Sequence, residues 1–210
     1  MNTSSPTDLR VLRELFSPAR LAPYEEIGRS INKVKELYET DILKGLRFML
    51  VMHFLEIAMR NDMDKAMRSL SGPLWFLREG ALLPEQTRHV VQAQESLRWQ
   101  NKPAIHDNYI AELPLGFWVG LLARKYEGQH HYWRRCLHEC FAHRPRRVQR
   151  QELYKKLDTL RRFRNRVAHH ERIMHRRPGQ KLQSALQALG WLSPELRAWA
   201  RQLVNRIDMP

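Results

Sequence analysis

The spacing of apolar residues constrains the fold of this chain more than any other feature. Aliphatic and aromatic residues recur at intervals of three and four along most of the 210 residues, the period that places side chains on one face of an α-helix. Alternating segments rich in Val, Ile and Thr, and Asn-Gly hairpin turns, are absent from the sequence. The sequence therefore predicts an all-α protein.

Signals at helix ends predict where the helices lie. Ser17-Pro18 and Ser193-Pro194 have the form of an N-cap followed by proline in the first turn. Six Gly and Pro residues interrupt the pattern between residues 70 and 115, which favours short helices and loops beside a main bundle. We predict helices near residues 8–16, 23–38, 40–68, 84–99, 114–127, 131–142, 146–175, 180–189 and 194–207.

The domain organisation and location follow from what the sequence lacks. No repeat, low-complexity tract or linker divides residues 1–210, so we expect one helical domain with frayed residues 1–5 and a C-terminal helical extension at 176–210. The N-terminal residues lack the apolar core of a signal peptide, and the two cysteines provide no disulfide framework. The most apolar stretch, residues 46–59, is short for a membrane span. We expect a cytoplasmic protein without a membrane partner.

Positive charge is concentrated in one segment of the chain. The formal net charge is +14, and residues 144–177 hold thirteen Lys and Arg residues against three acidic residues. Clustered basic residues release counterions from phosphates, which favours a polyanionic partner. Arginine outnumbers lysine by 27 to 9, and the planar guanidinium suits bidentate contacts with phosphate. A GC-rich genome would produce the same arginine excess, and charge alone does not separate RNA, DNA and anionic membrane.

Three features outside this segment have a structural and a functional interpretation. Cys136, Cys140 and His143 lie on one helical face, but we interpret the two cysteines as part of a core stripe and predict neither metal nor cofactor. Glu56 and Arg60 form either an intrahelical ion pair or a support for the Arg164 region. The six tryptophans could stack on nucleobases, although at helical spacing they more often belong to a core.

The densest cluster of chemistry-bearing residues is "RRFRNRVAHHERI" at residues 161–173. A helical wheel places a group of imidazole, amide and guanidinium side chains on the solvent side: Asn165, His169, Arg162 and Arg166. It places an apolar stripe on the other side: Leu153, Leu157, Leu160, Phe163, Val167 and Met174. A phosphate-handling site needs such a face, and a solvated basic surface has the same appearance.

Arg164 does not share this solvent-facing side of the helix. The wheel places Arg164 and Glu171 near the apolar stripe, with Arg164 about 140° from His169. Either Arg164 is a buried structural ion-pair partner, or a site draws its arginine and its histidine from more than one chain.

The cluster and three earlier blocks match the pattern of one known family. "RNRVAHHERI" closely resembles the C-terminal signature of Abi-like (abortive infection, AbiD/AbiF-type) proteins of the HEPN superfamily, in which Arg and a polar residue precede His. "LFSPARLAPYEEI", "ELYETDILKGLRFMLVMHFLEIAMRNDMDKAM" and "ELPLGFWVGLL" resemble earlier blocks of that family in the same order. The resemblance covers most of residues 15–175; Arg172-Ile173 departs from it, where many relatives have a proline.

The resemblance implies a fold, an activity and a site. It implies a HEPN-type helical bundle with additional short helices that forms a homodimer, in which two copies of the motif line one basic cleft. The implied activity is a metal-independent endoribonuclease of phage defence, a growth-arrest toxin that cleaves RNA through 2′-OH attack. Carried onto this chain, Arg164 and His169 are the catalytic pair and Asn165 is the polar residue of the motif. Histidine suits proton transfer near neutral pH, and arginine stabilises charge developing on phosphate.

The same resemblance implies supporting residues and partners. His170 is a second candidate proton carrier, Glu171 a candidate tether for Arg164 or a neighbouring helix, and Glu56 and Arg60 are candidate supports. We expect five basic residues to hold RNA: Lys155, Lys156, Arg161, Arg162 and Arg166. The expected partner is RNA, with a bound noncoding RNA as either inhibitor or substrate. The alternative is a non-catalytic HEPN module that recognises a structured RNA or a protein partner.

Overall fold

A computed structural model describes residues 9–207, and these residues form ten α-helices with short 3₁₀ and π turns and no strand. The α-helices are α1 (Leu9–Phe16), α2 (Pro18–Glu25), α3 (Ile31–Ser71), α4 (Pro84–Trp99), α5 (His106–Glu112), α6 (Leu115–Leu121), α7 (Arg124–Gln129), α8 (Arg150–Ala168), α9 (Pro178–Leu192) and α10 (Pro194–Ile207). The prediction of an all-α protein is confirmed. Residues 1–5, expected to be frayed, lie outside the described residues.

The longest element is α3, a helix of 41 residues that spans roughly 60 Å at 1.5 Å per residue. The sequence predicted two helices here, over 23–38 and 40–68, and this division was wrong. The Ser30 side chain accepts a hydrogen bond from the Lys33 N–H at 3.3 Å and caps α3 at its start. Residues 31–71 contain no proline, so nothing interrupts the backbone hydrogen bonds near residue 39.

Helices pack against α3 from several directions. Phe48 of α3 meets Phe163 of α8 edge to face, with ring centroids 4.7 Å apart. Phe54 of α3 contacts Trp199 of α10 in the same manner at 4.9 Å. Four further α3 residues are fully buried between these contacts and the end of the helix: Leu55, Met59, Met63 and Met67. The core therefore follows α3, and α8 is held against its middle.

The segment before α8 is less regular than predicted. Instead of one helix over 131–142, it forms a π turn at Trp133–Leu137 and a 3₁₀ turn at Glu139–Phe141. The carbonyl groups released by this irregular backbone need other donors. The Arg144 guanidinium donates to the carbonyls of His138 and Phe141 at 2.8 and 3.0 Å. This arginine of the charged segment thus has a structural role.

The predicted helix over 114–127 is divided into α6 and α7. The Arg150 guanidinium donates to the Leu122 carbonyl at 2.6 Å, where α6 has ended. Arg150 therefore joins α8 to the end of α6, and a second basic residue serves the fold.

Candidate functional site

The cluster at residues 161–173 lies on the second half of α8 and the loop that follows. α8 begins with a capping box, in which the Gln149 N–H donates to the Glu152 carboxylate at 3.2 Å and the Gln149 side chain accepts from the Glu152 N–H. The predicted apolar stripe faces the core through buried residues: Leu153, Leu157, Leu160 and Phe163. Val167 is half-buried, but Met174 lies beyond the helix end, so its place on the stripe was wrong.

The opposite side of α8 carries basic residues, among them Arg162 and Arg166, which the helical wheel placed there. Lys155 and Arg162 are exposed and Arg166 is half-exposed, and their spacing of seven and four keeps them on one line. The Arg162 guanidinium contacts the Asp158 carboxylate at 2.8 Å, and Arg166 contacts Glu171. His169 is exposed directly after the helix ends. We call this line of Lys155, Arg162, Arg166 and His169 the basic face.

Arg164 points away from the basic face, towards α3. Its Nε donates to the Glu56 carboxylate at 2.9 Å, and both side chains are partly buried. Glu56 thus supports Arg164, and the alternative of an intrahelical pair with Arg60 was wrong. Glu171 pairs with Arg166 instead of tethering Arg164. The ion pair holds the Arg164 guanidinium between α3 and α8.

α8 ends at Ala168, seven residues earlier than predicted, and its end positions both histidines of the motif. The His170 N–H donates to the Val167 carbonyl, and the Glu171 N–H donates to the Arg166 carbonyl, each at 2.9 Å. This pair of bonds is a Schellman motif, which requires a left-handed residue after the C-cap. His170 occupies that position with φ of 56°. A left-handed histidine is unfavourable, and such strain is concentrated at functional sites.

Asp41, in the first half of α3, holds the loop that follows the motif. Both carboxylate oxygens of Asp41 accept from the Ile173 N–H at 3.2 Å, and one accepts from the Tyr24 hydroxyl at 2.9 Å. Asp41 is only 7% exposed, and burial raises the pKa of Tyr24 well above its usual value. Arg172 lies over the Tyr24 ring at 5.5 Å. These contacts determine where His169 and His170 lie relative to α3.

A polar cavity of about 560 Å³ lies on the Arg164 side of α8. Arg164, Asn165 and Arg161 line it from α8, and Glu56 and Arg60 line it from α3. His169 is not among its lining residues. One chain therefore presents the motif arginine and asparagine to the cavity and the motif histidine to the basic face.

The remaining predicted RNA-binding residues occupy different places. Arg161 donates twice to the Asp158 carboxylate, at 3.0 and 2.7 Å, beside the cavity. Lys156 lies on the other flank of α8, where it donates to Gln187 at 2.9 Å and lies over the Trp191 ring. Partial burial, with a contribution from Lys181, lowers the pKa of Lys156. Lys156 is thus part of the α8–α9 contact and does not belong to the basic face.

The other candidates from the sequence are mostly structural. Cys136 is buried and Cys140 half-buried, and burial raises the pKa of the two thiols to about 11 and about 12. Within residues 9–207, no group of three His, Cys, Asp or Glu side chains is arranged to hold a metal. The tryptophan pairs of the core include Trp75 and Trp118, 6.2 Å apart. No helix formed by residues 9–207 is both long enough and apolar enough to cross a membrane.

The comparisons with known proteins identify no relative. No protein-family model, curated protein or solved structure matches this chain. The residues of this chain and their geometry therefore have to indicate its function.

Asp41, Tyr24 and His89 were not identified from the sequence as part of this region. Asp41 and Tyr24 each lie far along the chain from the loop they hold. The one available signal for Asp41 was an acidic residue beside apolar Ile42 and Leu43 on a helix, where a carboxylate needs a partner. His89 lines the cavity from α4 and carries no sequence signal.

We expect His170→Gly to raise the free energy of unfolding by about 0.5–1 kcal/mol, because the left-handed conformation costs other residues roughly 1–2 kcal/mol and glycine recovers part of it. Urea denaturation followed by circular dichroism measures the change. His175→Gly is the matched control, since His175 lies in the same loop without a positive φ and its replacement should not stabilise. Equal or lower stability of His170→Gly would contradict the strain at this position.

Proposed function

We propose that the protein is a metal-independent HEPN-type endoribonuclease whose active site is completed by a second copy of the chain. The observation that carries the proposal is the basic face, which leads along α8 directly to the exposed His169 and the left-handed His170. Guanidinium and ammonium groups in a line bind the phosphates of an RNA strand. An imidazole at the end of that line lies where a bound phosphate would be.

The proposed reaction needs only groups that this chain supplies. His169 accepts the proton of an RNA 2′-OH, whose oxygen attacks the adjacent phosphorus while the bond from phosphorus to the 5′-oxygen breaks. The leaving oxygen takes a proton from His170, the second candidate proton carrier, which enters this step as an imidazolium. The products are a 2′,3′-cyclic phosphate and a 5′-hydroxyl. Arg164 stabilises the negative charge that develops on the phosphate oxygens, and Asn165 orients the imidazole or a phosphate oxygen.

The second copy is required by the positions of Arg164 and His169. Within one chain, Glu56 holds Arg164 at the cavity, and His169 does not line that cavity. An apolar patch of Ile42, Leu43 and Leu46, each 44–55% exposed, lies on α3 next to the residues that contact the histidine loop. Exposed apolar patches mark interaction sites. A two-fold contact through this patch would place both histidine loops near the axis.

This arrangement predicts that two inactive variants restore activity when mixed. His169→Ala and Arg164→Gln should each be inactive, and Gln keeps a hydrogen-bond donor towards Glu56. Unfolding and refolding the two together forms heterodimers with one intact site, which gives roughly a quarter of wild-type cleavage by statistical pairing in a symmetric dimer. End-labelled RNA in the presence of EDTA is the assay, and the product ends are assigned chemically.

The control mixes His169→Ala with the double variant His169→Ala/Arg164→Gln, which cannot assemble an intact site. Restored activity in the first mixture alone supports a site shared between chains. Absence of restoration, when both single variants are inactive and the mixture has refolded into dimers, would argue for a site within one chain. Wild-type cleavage that EDTA abolishes would contradict the metal-independent mechanism.

A non-catalytic RNA-binding module is the alternative, and one observation favours it. The guanidinium groups of the motif are engaged in ion pairs, Arg164 with Glu56 and Arg166 with Glu171. Such ion pairs can be purely structural, holding the arginine side chains in place without a role in catalysis. On the family resemblance, the setting of either function is phage defence in the cytoplasm, where RNA cleavage would arrest growth.

A further inference from the structure

The polar cavity beside Arg164 has its own chemistry, separate from the basic face. It is lined by residues of α3, α4, α5, α6, α7 and α8 and of the loops on either side of α6. Its volume of about 560 Å³ lies within the range of small-molecule binding sites. The polar groups that line it determine which ligand fits.

The carboxylates of the cavity on α3 and α8 are already engaged. Glu56 accepts from Arg164 at 2.9 Å, and Asp158 accepts from Arg161 at 2.7 Å. In both pairs the arginine uses its Nε and Nη2 groups. The Nη1 groups of Arg161 and Arg164 have no hydrogen-bond partner among residues 9–207. The two pairs therefore present unused donors and no unpaired negative charge.

The carboxylates on α4 and α5 are engaged as well. Glu85 accepts from Lys125 at 2.6 Å, and this hydrogen bond lowers the pKa of Glu85. Glu112 accepts from the Ser96 hydroxyl at 2.7 Å, which lowers the pKa of Glu112. Both carboxylates stay ionised and already have hydrogen-bond donors, so neither requires a bound cation.

Arg60 and His89 bring two further basic side chains to the cavity. Arg60 makes one weak contact, to the Asn61 side chain at 3.4 Å, and no carboxylate of the described residues lies within 4.0 Å of it. His89 adds an imidazole to the same cavity. Unused donors and a free cation select a ligand rich in acceptor oxygens, such as a phosphate.

The rest of the wall suits a planar ring. Pro114, Leu115 and Tyr154 also line the cavity, and aromatic side chains stack on nucleobases without regard to sequence. Gly116 also lines the cavity, where a Cβ would meet the Arg161 side chain at an ordinary contact distance of 3.7 Å, so only a larger side chain would fill the space. A ligand that offers a phosphate to the arginines and a planar ring to these residues is a nucleotide.

We infer that this cavity binds one nucleoside phosphate, either a free mononucleotide or a single nucleotide of an RNA strand. The phosphate lies against Arg60, Arg161 and Arg164, and the base lies against Tyr154 and Pro114. The inference rests on the proposed function only for RNA as the source of the nucleotide. It requires binding and not cleavage.

The test measures binding of AMP, GMP, CMP, UMP and a short single-stranded RNA by isothermal titration calorimetry. Arg60→Gln removes the unpaired cation, and Gly116→Leu fills the cavity. Each should weaken binding at least about tenfold, as expected for lost hydrogen bonds to a charged group. Arg68→Gln, at an exposed position of α3, and Gly128→Leu, at a helical glycine with open space around it, are the matched controls and should bind as the wild type does.

The outcomes separate the two sources of nucleotide. Mononucleotide binding that both cavity variants lose identifies a site for a free nucleotide. Binding of RNA alone, with the same loss, identifies a site for one nucleotide of the strand. No binding of any probe, or unchanged binding by both cavity variants, overturns the inference. Thermal melting verifies that Gly116→Leu folds; if it does not fold, Arg60→Gln decides the result.

Failure of this inference is distinguishable from failure of the proposed nuclease. A wild type that never cleaves RNA, but binds nucleotide in a manner sensitive to Arg60→Gln, retains the cavity site and rejects the enzyme. A wild type that cleaves, with binding unaffected in both cavity variants, retains the enzyme and rejects the cavity site.

Discussion

Replacement of His169 by alanine is expected to lower RNA cleavage by about 10²–10⁴-fold, the usual contribution of a positioned proton carrier. RNA affinity should change by less than about threefold, because phosphate contacts of the basic residues supply most of it. His169 is exposed at the C-cap of α8, where its removal leaves no buried group without a partner. Initial rates of cleavage and filter-binding affinity for the same RNA measure both quantities.

The control for this loss is His143→Ala. His143 is also exposed, but it precedes α8 instead of following it, and its replacement should leave cleavage unchanged. Equal cleavage by His169→Ala and the wild type would reject the catalytic role. Loss of cleavage and of binding together would instead indicate that His169 holds RNA without transferring a proton.

Replacement of Asp41 by alanine is expected to destabilise the fold by about 2–5 kcal/mol, because each buried polar group left without a partner costs roughly 1–3 kcal/mol. The two groups are the Ile173 N–H and the Tyr24 hydroxyl, which both donate to this carboxylate. The loop that carries His169 and His170 would also lose its attachment to α3. Cleavage, measured below the melting temperature of the variant, should therefore decrease at least about tenfold.

Two further variants control the Asp41 experiment. Asp41→Asn keeps one acceptor oxygen and should be intermediate in stability and in cleavage. Asp107→Ala removes an exposed carboxylate in the first turn of α5 and should cost less than about 1 kcal/mol. Urea denaturation gives the free energies of unfolding. A loss for Asp41→Ala no larger than that for Asp107→Ala would mean that the carboxylate does not anchor the loop.

Periodicity was a reliable guide where a helix has one clear apolar side. The stripe from Leu153 to Phe163 and the exposure of Arg162 follow from residue spacing alone, because 3.6 residues per turn determine which side chains share a face of the helix. The same spacing indicated that Arg164 and His169 point in different directions. This separation, and not the motif itself, is the reason for proposing a site shared by two chains.

Helix ends were less accessible to sequence reasoning. The pattern continued to residue 175, but α8 ends at Ala168 because the Schellman bonds and the Asp41 carboxylate together hold the loop in another conformation. Neither glycine nor proline marks this end in the sequence. The prediction of a break near residue 39 was wrong for the opposite reason: no residue there interrupts the backbone hydrogen bonds, so α3 continues.

The all-α class, the apolar stripe of α8 and the basic face were determined by the sequence itself, because they depend on local spacing and residue type. The tertiary structure alone decided the partners: Glu56 for Arg164, Asp41 for the histidine loop, and α3, α4 and α6 as the walls of the cavity. Ion pairs and buried hydrogen bonds join residues up to 132 positions apart, and which of many charged side chains meet depends on how the helices pack. The spacing of residues along one helix does not determine that packing.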